Sequence, residues 1–345
     1  MNPSELGMAI VGAGVVARYH AQAIAKAPGA RLVAVCRSDP SKAAAAAAEF
    51  GVSCETSYDA LLARPDVDAV CLCTPSGLHA AQTRAAARAG KHVLVEKPMA
   101  LTLEDADTMI ASCQDAGVLL GVALQRRTES AYQAVRGAIA GGALGRPVMG
   151  LAVVPYFRAQ AYYDSAAWRG TWAQDGGGAL MNQGIHIVDL LVWFMGDVEE
   201  VQGRAATLAH SIEVEDGLVA SLRFKSGALG AVVATTAAAP GFPHRVEVYG
   251  TRGGVQLEAE AVVRWDSEAP PTLSATVAPG AASAGSGSSP TGLAPTGHER
   301  ILADFVAAVR AARAPLVPGE EGRRSLSLVL AIYEAARTGR PVRPR

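Results

Sequence analysis

This chain has no excess charge of either sign: 31 Lys and Arg stand against 32 Asp and Glu, a formal net charge of −1. That balance offers no field for nucleic acid or an acidic membrane surface, and neither is expected as a partner. Cysteines are few and irregular. Cys36, Cys54, Cys71, Cys73 and Cys113 are odd in number and match neither a disulfide framework nor a zinc-ligand spacing. They read as small buried hydrophobes of a reducing, cytoplasmic compartment, and no metal site is expected. No secretory leader precedes residue 8, and no run of 18 apolar residues occurs. The richest stretch, Ile187 to Met195, is broken by Asp189. No internal repeat is present.

The rest of the composition is that of an ordinary globular protein, with 50% apolar and 18% charged residues. A length of 345 residues exceeds what one core serves, so two domains are expected. Met8 to Val11 reads as a strand. It runs into Gly12-Ala13-Gly14-Val15-Val16-Ala17 and then a helix to about Ala27. This is G-x-G-x-x-A in its required context of strand, tight turn and helix. The first glycine allows the turn and the second admits a pyrophosphate to the backbone. The helix N-terminus, with the first N–H groups at Val15 and Val16, faces that anion.

The second strand, Arg31 to Cys36, ends where an acid usually binds the adenosine ribose 2′-OH. Arg37 and Ser38 stand there instead. An arginine favours a 2′-phosphate, so NADP(H) is favoured and NAD(H) remains possible, through Asp39. Strands at Asp68–Cys73, His92–Val95 and 118–124 alternate with helices, which predicts βαβ units and a parallel sheet. Lys91 to Pro98 reads as a buried strand ending in Glu96-Lys97-Pro98. Ligands collect beyond the carboxyl ends of such strands, where a lysine can reach cofactor and substrate together. This domain is expected to span residues 1–124.

The second domain, 125–345, has a different pattern. Aromatics make up only 5% of the chain, yet 155–175 holds Tyr156, Arg158, Tyr162, Tyr163, Trp168, Arg169 and Trp172. A loop of this kind reads as a recognition surface. Gly176-Gly177-Gly178 then leads into an expected helix to about Met195. It carries Asn182 and His186 at i and i+4, and Asp189 one turn on could orient the imidazole. From Val198 to about Trp265 strand follows strand, the named ones lying between Val201 and Glu258, joined at Lys225-Ser226-Gly227 and Gly250-Thr251-Arg252-Gly253 by hairpin turns, for a mostly antiparallel sheet. The segment 268–297 is rich in Pro, Ala, Gly and Ser and reads as a flexible loop. Two helices end the chain.

Gly12-x-Gly14-x-x-Ala17, Thr74-Pro75-x-x-x-His79, Glu96-Lys97-Pro98, the three glycines, and Gly184-Ile185-His186-x-x-Asp189 occur in one order over nearly the whole chain. Together they resemble the Gfo/Idh/MocA family of nicotinamide-dependent oxidoreductases. The resemblance implies an α/β fold: an N-terminal Rossmann doubly wound parallel sheet and a C-terminal α/β domain with an open, mostly antiparallel sheet, in a homodimer or homotetramer. It implies hydride transfer to or from a secondary alcohol or ketone of a small sugar-like substrate. His186 would act as general acid/base and Lys97 would stabilise charge on the substrate oxygen. Glu96 would position Lys97 or contact the nicotinamide side, with Thr74, Pro75 and His79 along the cofactor. Tyr156, Arg169 and Trp172 would meet substrate, Arg169 as a bidentate ligand of a carboxylate or phosphate. Asn182 stands where many members carry Asp. It is assigned to substrate hydrogen bonding, since an amide takes no proton. Two other readings compete: a glycoside hydrolase working through transient oxidation by bound NAD, and a non-catalytic dinucleotide sensor.

Overall fold

A computed structural model describes residues 5–267, Gly287 and 296–345. It divides into two compact units, Met1–Gln125 with Ala294–Arg323 and Arg126–Leu293 with Arg324–Arg345.

In the first unit, β1 (Leu6–Val11), β2 (Ala30–Cys36), β3 (Ser53–Glu55), β4 (Ala69–Leu72), β5 (His92–Val95) and β6 (Leu120–Val122) form a six-stranded sheet. The order is β3-β2-β1-β4-β5-β6 and every pair is parallel. The chain reverses direction across the sheet between β1 and β4, the switch point at which such sheets bind ligands. Parallel strands are covered on both faces, which explains the unbroken apolar runs in β1, β4 and β5. Helices α1 (Val15–Lys26), α2 (Ala43–Phe50), α3 (Tyr58–Leu62), α4 (His79–Arg88) and α5 (Leu103–Asp115) make the crossovers. The alanine run of α2 stops at Gly51, which takes the left-handed conformation (φ 69°) that glycine tolerates.

The sequence reading assigned everything after residue 124 to the second domain, but the helix Thr296–Arg310 groups with the first unit. Its Leu302, Phe305 and Val306 pack in one core with Met8, Ile10, Ile24 and Leu94. The periodicity of this helix announces an apolar face without saying which sheet it covers. The expected loop 268–297 lies outside the described residues, apart from Gly287, Thr296 and Gly297.

The second unit holds α6 (Ser130–Ala140), β7 (Pro147–Pro155), α7 (Gln160–Asp164), α8 (Ile185–Met195) and strands β8 (Val198–Ala206), β9 (Gly217–Phe224), β10 (Leu229–Thr235), β11 (Arg245–Gly250), β12 (Gly253–Glu258) and β13 (Ala261–Ser267). The seven-stranded sheet runs β13-β12-β11-β7-β10-β9-β8. Only β7 and β10 pair in parallel. The other pairs are antiparallel, including both expected hairpins. β13 was not among the strands named from the sequence. The chain from Gly319 to Thr338 is helical. No helix among the described residues is long and apolar enough to cross a membrane.

Candidate active site

In the first unit the expected cofactor residues gather at the carboxyl ends of β1, β2, β4 and β5. Gly12 has φ +94°, and a Cβ there would stand 2.7 Å from the Cys73 carbonyl oxygen, so the turn demands glycine. Gly14 is different. A Cβ built on it meets nothing within 4 Å, and its backbone is extended (φ −90°). Protein packing does not require glycine at 14; close approach of a ligand does. Gly14 caps α1 without a side-chain hydrogen bond and no acid occupies the first turn, so the N–H groups around Val15 and Val16 keep their positive end for an anion. These residues fit a dinucleotide pyrophosphate.

Arg37 is half-buried at the end of β2, with Nη1 3.5 Å from the Ala13 carbonyl oxygen, and Ser38 beside it is exposed. The Asp39 carboxylate turns away to accept from Ser41 N at 3.0 Å and Ser41 Oγ at 2.6 Å, starting the short helix Pro40–Lys42. After β4, the Thr74 hydroxyl donates to Gln82 Oε1 at 2.6 Å, and Pro75 precedes the turn 76–78.

Two of the expected residues are buried. The His79 ring is fully buried, with Nδ1 2.9 Å from the Pro98 carbonyl and Nε2 3.0 Å from that of Thr74. The neutral ring has one N–H and donates to one of these two carbonyls, so the buried His79 links the turn after β4 to the turn after β5. Glu96, expected to position Lys97 or to contact the nicotinamide side, does not stand in solvent. It is buried against His20, Nε2 to Oε1 2.8 Å. Lys97 follows, half-buried, with a cis peptide bond to Pro98.

In the second unit, residues 179–184 form one stretch of π-helix before α8, where the sequence reading expected α-helix throughout. The start of this stretch is capped by Glu215, which the sequence did not reveal. Its buried carboxylate accepts from Gly178 N at 3.0 Å, Leu180 N at 2.8 Å and the Tyr333 hydroxyl at 2.8 Å. A Cβ on Gly178 would lie 1.9 Å from the Glu215 carbonyl oxygen, which accounts for glycine at 178. Burial pushes the Glu215 carboxyl up against the pull of those donors. A π-turn at this point widens the helix just where Asn182 and His186 are presented.

His186 is buried at the start of α8. Asp189 does not orient it. The Asp189 carboxylate is gripped by Arg127 through Nε at 2.8 Å and Nη2 at 2.7 Å, and by the Ser325 hydroxyl at 2.6 Å. Asn182 gives its amide N–H to Asp175 Oδ1 and accepts from Gln183 Nε2 at 3.0 Å. Tyr156 faces the interior instead of a substrate. It is buried, with its hydroxyl 3.0 Å from His244 Nδ1, while the Tyr132 hydroxyl lies 3.0 Å from His244 Nε2. Burial first, then the nearby Arg126 and His186, hold His244 well below the ordinary imidazole range. Trp172 is exposed at 46%, with its indole N–H donating to the Glu213 carbonyl at 3.1 Å.

Arg169 is sandwiched between two aromatic faces, its guanidinium carbon 4.3 Å from the Tyr162 ring centroid and 4.5 Å from that of Trp168. Its Nη1 donates to the Tyr162 hydroxyl at 2.5 Å. Among the described residues no carboxylate forms an ion pair with it. Arg158 is used differently, buried and donating to Gln183 Oε1 at 2.8 Å.

A doubly wound sheet with an open glycine loop, and a second unit carrying a histidine on the helix that follows a π-turn, define a dinucleotide-dependent enzyme. Comparison with known proteins gives the family. Residues 6–124 match the oxidoreductase family with NAD-binding Rossmann fold, and 132–256 match the GFO/IDH/MocA C-terminal domain. The chain belongs to the Gfo/Idh/MocA family and is an NAD(P)-dependent oxidoreductase. It is 34% identical to the 1,5-anhydro-D-fructose reductase of Ensifer adhaerens over 96% of each chain. It is 31% identical to the D-apiose dehydrogenase of Paraburkholderia graminis, over 97% of this chain and 88% of that one. Among solved structures it is similar to the WlbA dehydrogenase of Bordetella pertussis, in complex with NADH and UDP-GlcNAcA, with 37% identity, 98% coverage of both chains and a TM-score of 0.87.

Proposed function

We propose that this enzyme moves a hydride between NADP(H) or NAD(H) and a secondary alcohol or ketone of a sugar derivative that carries an anionic group. The observation behind the anionic group is Arg169. Two aromatic plates hold it flat, and no carboxylate of the described chain pairs with it. A fixed guanidinium of this kind suits a carboxylate or phosphate. The WlbA relative, bound to NADH and UDP-GlcNAcA, supports the same substrate class.

When bound, the nicotinamide supplies or accepts the hydride. His186 exchanges the hydroxyl proton at its imidazole, and the Lys97 ammonium hydrogen-bonds the substrate oxygen as charge builds on it. Asn182 takes no proton. Arg37 and Ser38 favour a 2′-phosphate, because Asp39 is engaged by Ser41. Trp172 offers an exposed face for a sugar ring. The chain is read as a cytoplasmic homodimer or homotetramer.

The test compares an acidic with a neutral substrate. The wild type is incubated with UDP-GlcNAcA and NAD⁺ or NADP⁺, and separately with 1,5-anhydro-D-fructose and NADH or NADPH. The reading expects turnover of the acidic compound, and a loss in kcat/KM for Arg169→Met of at least about tenfold, or about 1.4 kcal/mol. Turnover of the neutral compound alone, unaffected by Arg169→Met, would remove the anionic group from the account.

A further inference from the structure

Glu96, expected to position Lys97 or to contact the nicotinamide side, has a carboxylate that faces two buried imidazoles. His20 Nε2, from α1, stands 2.8 Å from Oε1. His298 Nε2, from the first turn of the helix Thr296–Arg310, stands 3.5 Å from the same oxygen. The side chains are 1% exposed for each histidine and 8% for the carboxylate. The other oxygen, Oε2, accepts the backbone N–H of Lys97 at 3.2 Å. His298 stacks on Tyr19 with centroids 5.4 Å apart and meets His20 edge-on at 5.3 Å, so both rings are held in place.

The His20 tautomer follows from what its ring lacks: Nδ1 is buried with no hydrogen-bond partner, so the proton belongs on Nε2, which faces the carboxylate. Neither ring nitrogen of His298 has a hydrogen-bond partner, and its Nε2 packs against the same carboxylate oxygen at 3.5 Å. Burial pushes the His20 imidazole down, towards neutrality. Burial would raise Glu96, but the two imidazoles outweigh it and hold its carboxyl well below the ordinary range. The other titratable groups that sense Glu96 are Cys71, Cys73 and His79, and burial keeps all of these neutral. The result is one buried carboxylate with two histidine rings against one oxygen and the Lys97 amide N–H on the other. The three ligand-type atoms lie within 4.8 Å of one another, as a metal site would require. However, 2.8 Å is a hydrogen-bond distance, and two ligands of a tetrahedral zinc ion stand about 3.3 Å apart.

We propose that His20 and His298 are positioning residues that act on Lys97 through Glu96. The proposal rests on the reading of Lys97 given above. With Oε1 fixed from two helices, Oε2 is fixed as well, and it holds the backbone from which the Lys97 side chain springs. A lysine has four rotatable bonds, and a misplacement of about 1 Å at a reacting group can cost about 10²-fold in rate. The helix that starts at the glycine loop carries His20, so one rigid element serves both the dinucleotide loop and the lysine.

The chain contains five lysines, Lys26, Lys42, Lys91, Lys97 and Lys225. Reductive ¹³C-dimethylation of the full-length protein with NADH bound therefore gives a small set of NMR signals to follow against pH. In His20→Phe and His298→Phe, which keep an aromatic ring but lose the donor, the Lys97 midpoint should move by about half a pH unit or more. The other four lysines should not move. His298→Gln, which restores a donor, should return Lys97 towards the wild-type position. If the Phe variants fail to fold, the isosteric Glu96→Gln reads the same effect. An unmoved Lys97, a shift of all five lysines together, or one equivalent of zinc in the purified protein would overturn the proposal. The NMR readout needs no substrate, so it stands or falls apart from the catalytic role of Lys97, which Lys97→Ala turnover tests.

Discussion

Arg127 and Asp189 are joined by two parallel hydrogen bonds of 2.8 and 2.7 Å, and both side chains are almost wholly buried, at 3% and 1% exposure. Asp189 sits one turn beyond His186, where the sequence suggested an orienting carboxylate, but its oxygens are taken by Arg127 and Ser325. Breaking a buried pair from one side leaves an uncompensated charge. Asp189→Ala is therefore expected to lose about 3–5 kcal/mol of stability, and the double variant Arg127→Met, Asp189→Leu much less. Denaturant unfolding checks this. Loss of turnover in Asp189→Ala at unchanged stability would return Asp189 to the role of an orienting group.

Gly12 and Gly14 should separate folding from binding. Gly12→Ala forces a side chain into φ +94° and against the Cys73 carbonyl, so it should lower the melting temperature. Gly14→Ala meets open space, so its stability should stay within about 0.5 kcal/mol of wild type. Its dinucleotide affinity should fall at least about tenfold. Calorimetric titration with NADH and thermal melting decide between these outcomes.

Asn182 hydrogen-bonds Asp175, and an acid in its place would set two carboxylates against each other. One of them would then hold a proton, with its folded pKa raised above the unfolded value. Stability tied to a raised pKa is present below the unfolded value and is lost as pH rises through the folded one. Asn182→Asp should accordingly match wild type most closely near pH ~4–5 and fall behind it towards pH ~8. Melting curves across that range test the point.

Burial holds His20, His79 and His244 below their ordinary value of 6.5. For these depressed groups the unfolded chain binds protons first. Their contribution is present above 6.5 and is lost as pH falls below it, through the folded values. Glu96, also depressed, adds a loss of the same sign below its ordinary value of 4.5. The melting temperature should decline from pH ~7 to pH ~5, and His244→Gln should decline less steeply than wild type.

Much of the fold was legible because its signals are local. Gly12, Gly14 and the strand–turn–helix around them lie within one stretch from Leu6 to Lys26, and Lys97 follows a strand whose apolar run is continuous. What could not be read depends on partners far along the chain. Glu215 reaches Gly178 and Leu180 from 37 and 35 residues away, at the start of a π-turn that stands where helical periodicity suggests α-helix. His298 meets Glu96 from beyond the Pro-, Ala-, Gly- and Ser-rich stretch. Tyr156 looked like part of a recognition loop because burial is invisible in an aromatic letter, and His79 because a motif position does not say where its ring nitrogens point.

The most direct measurement of the central claim is turnover by Lys97→Ala and His186→Ala, alongside NADH affinity, on the sugar derivative that the wild type accepts. The account predicts a loss of kcat of about 10²-fold or more in each variant, with NADH affinity within about threefold of wild type. Wild-type turnover in both variants would contradict it.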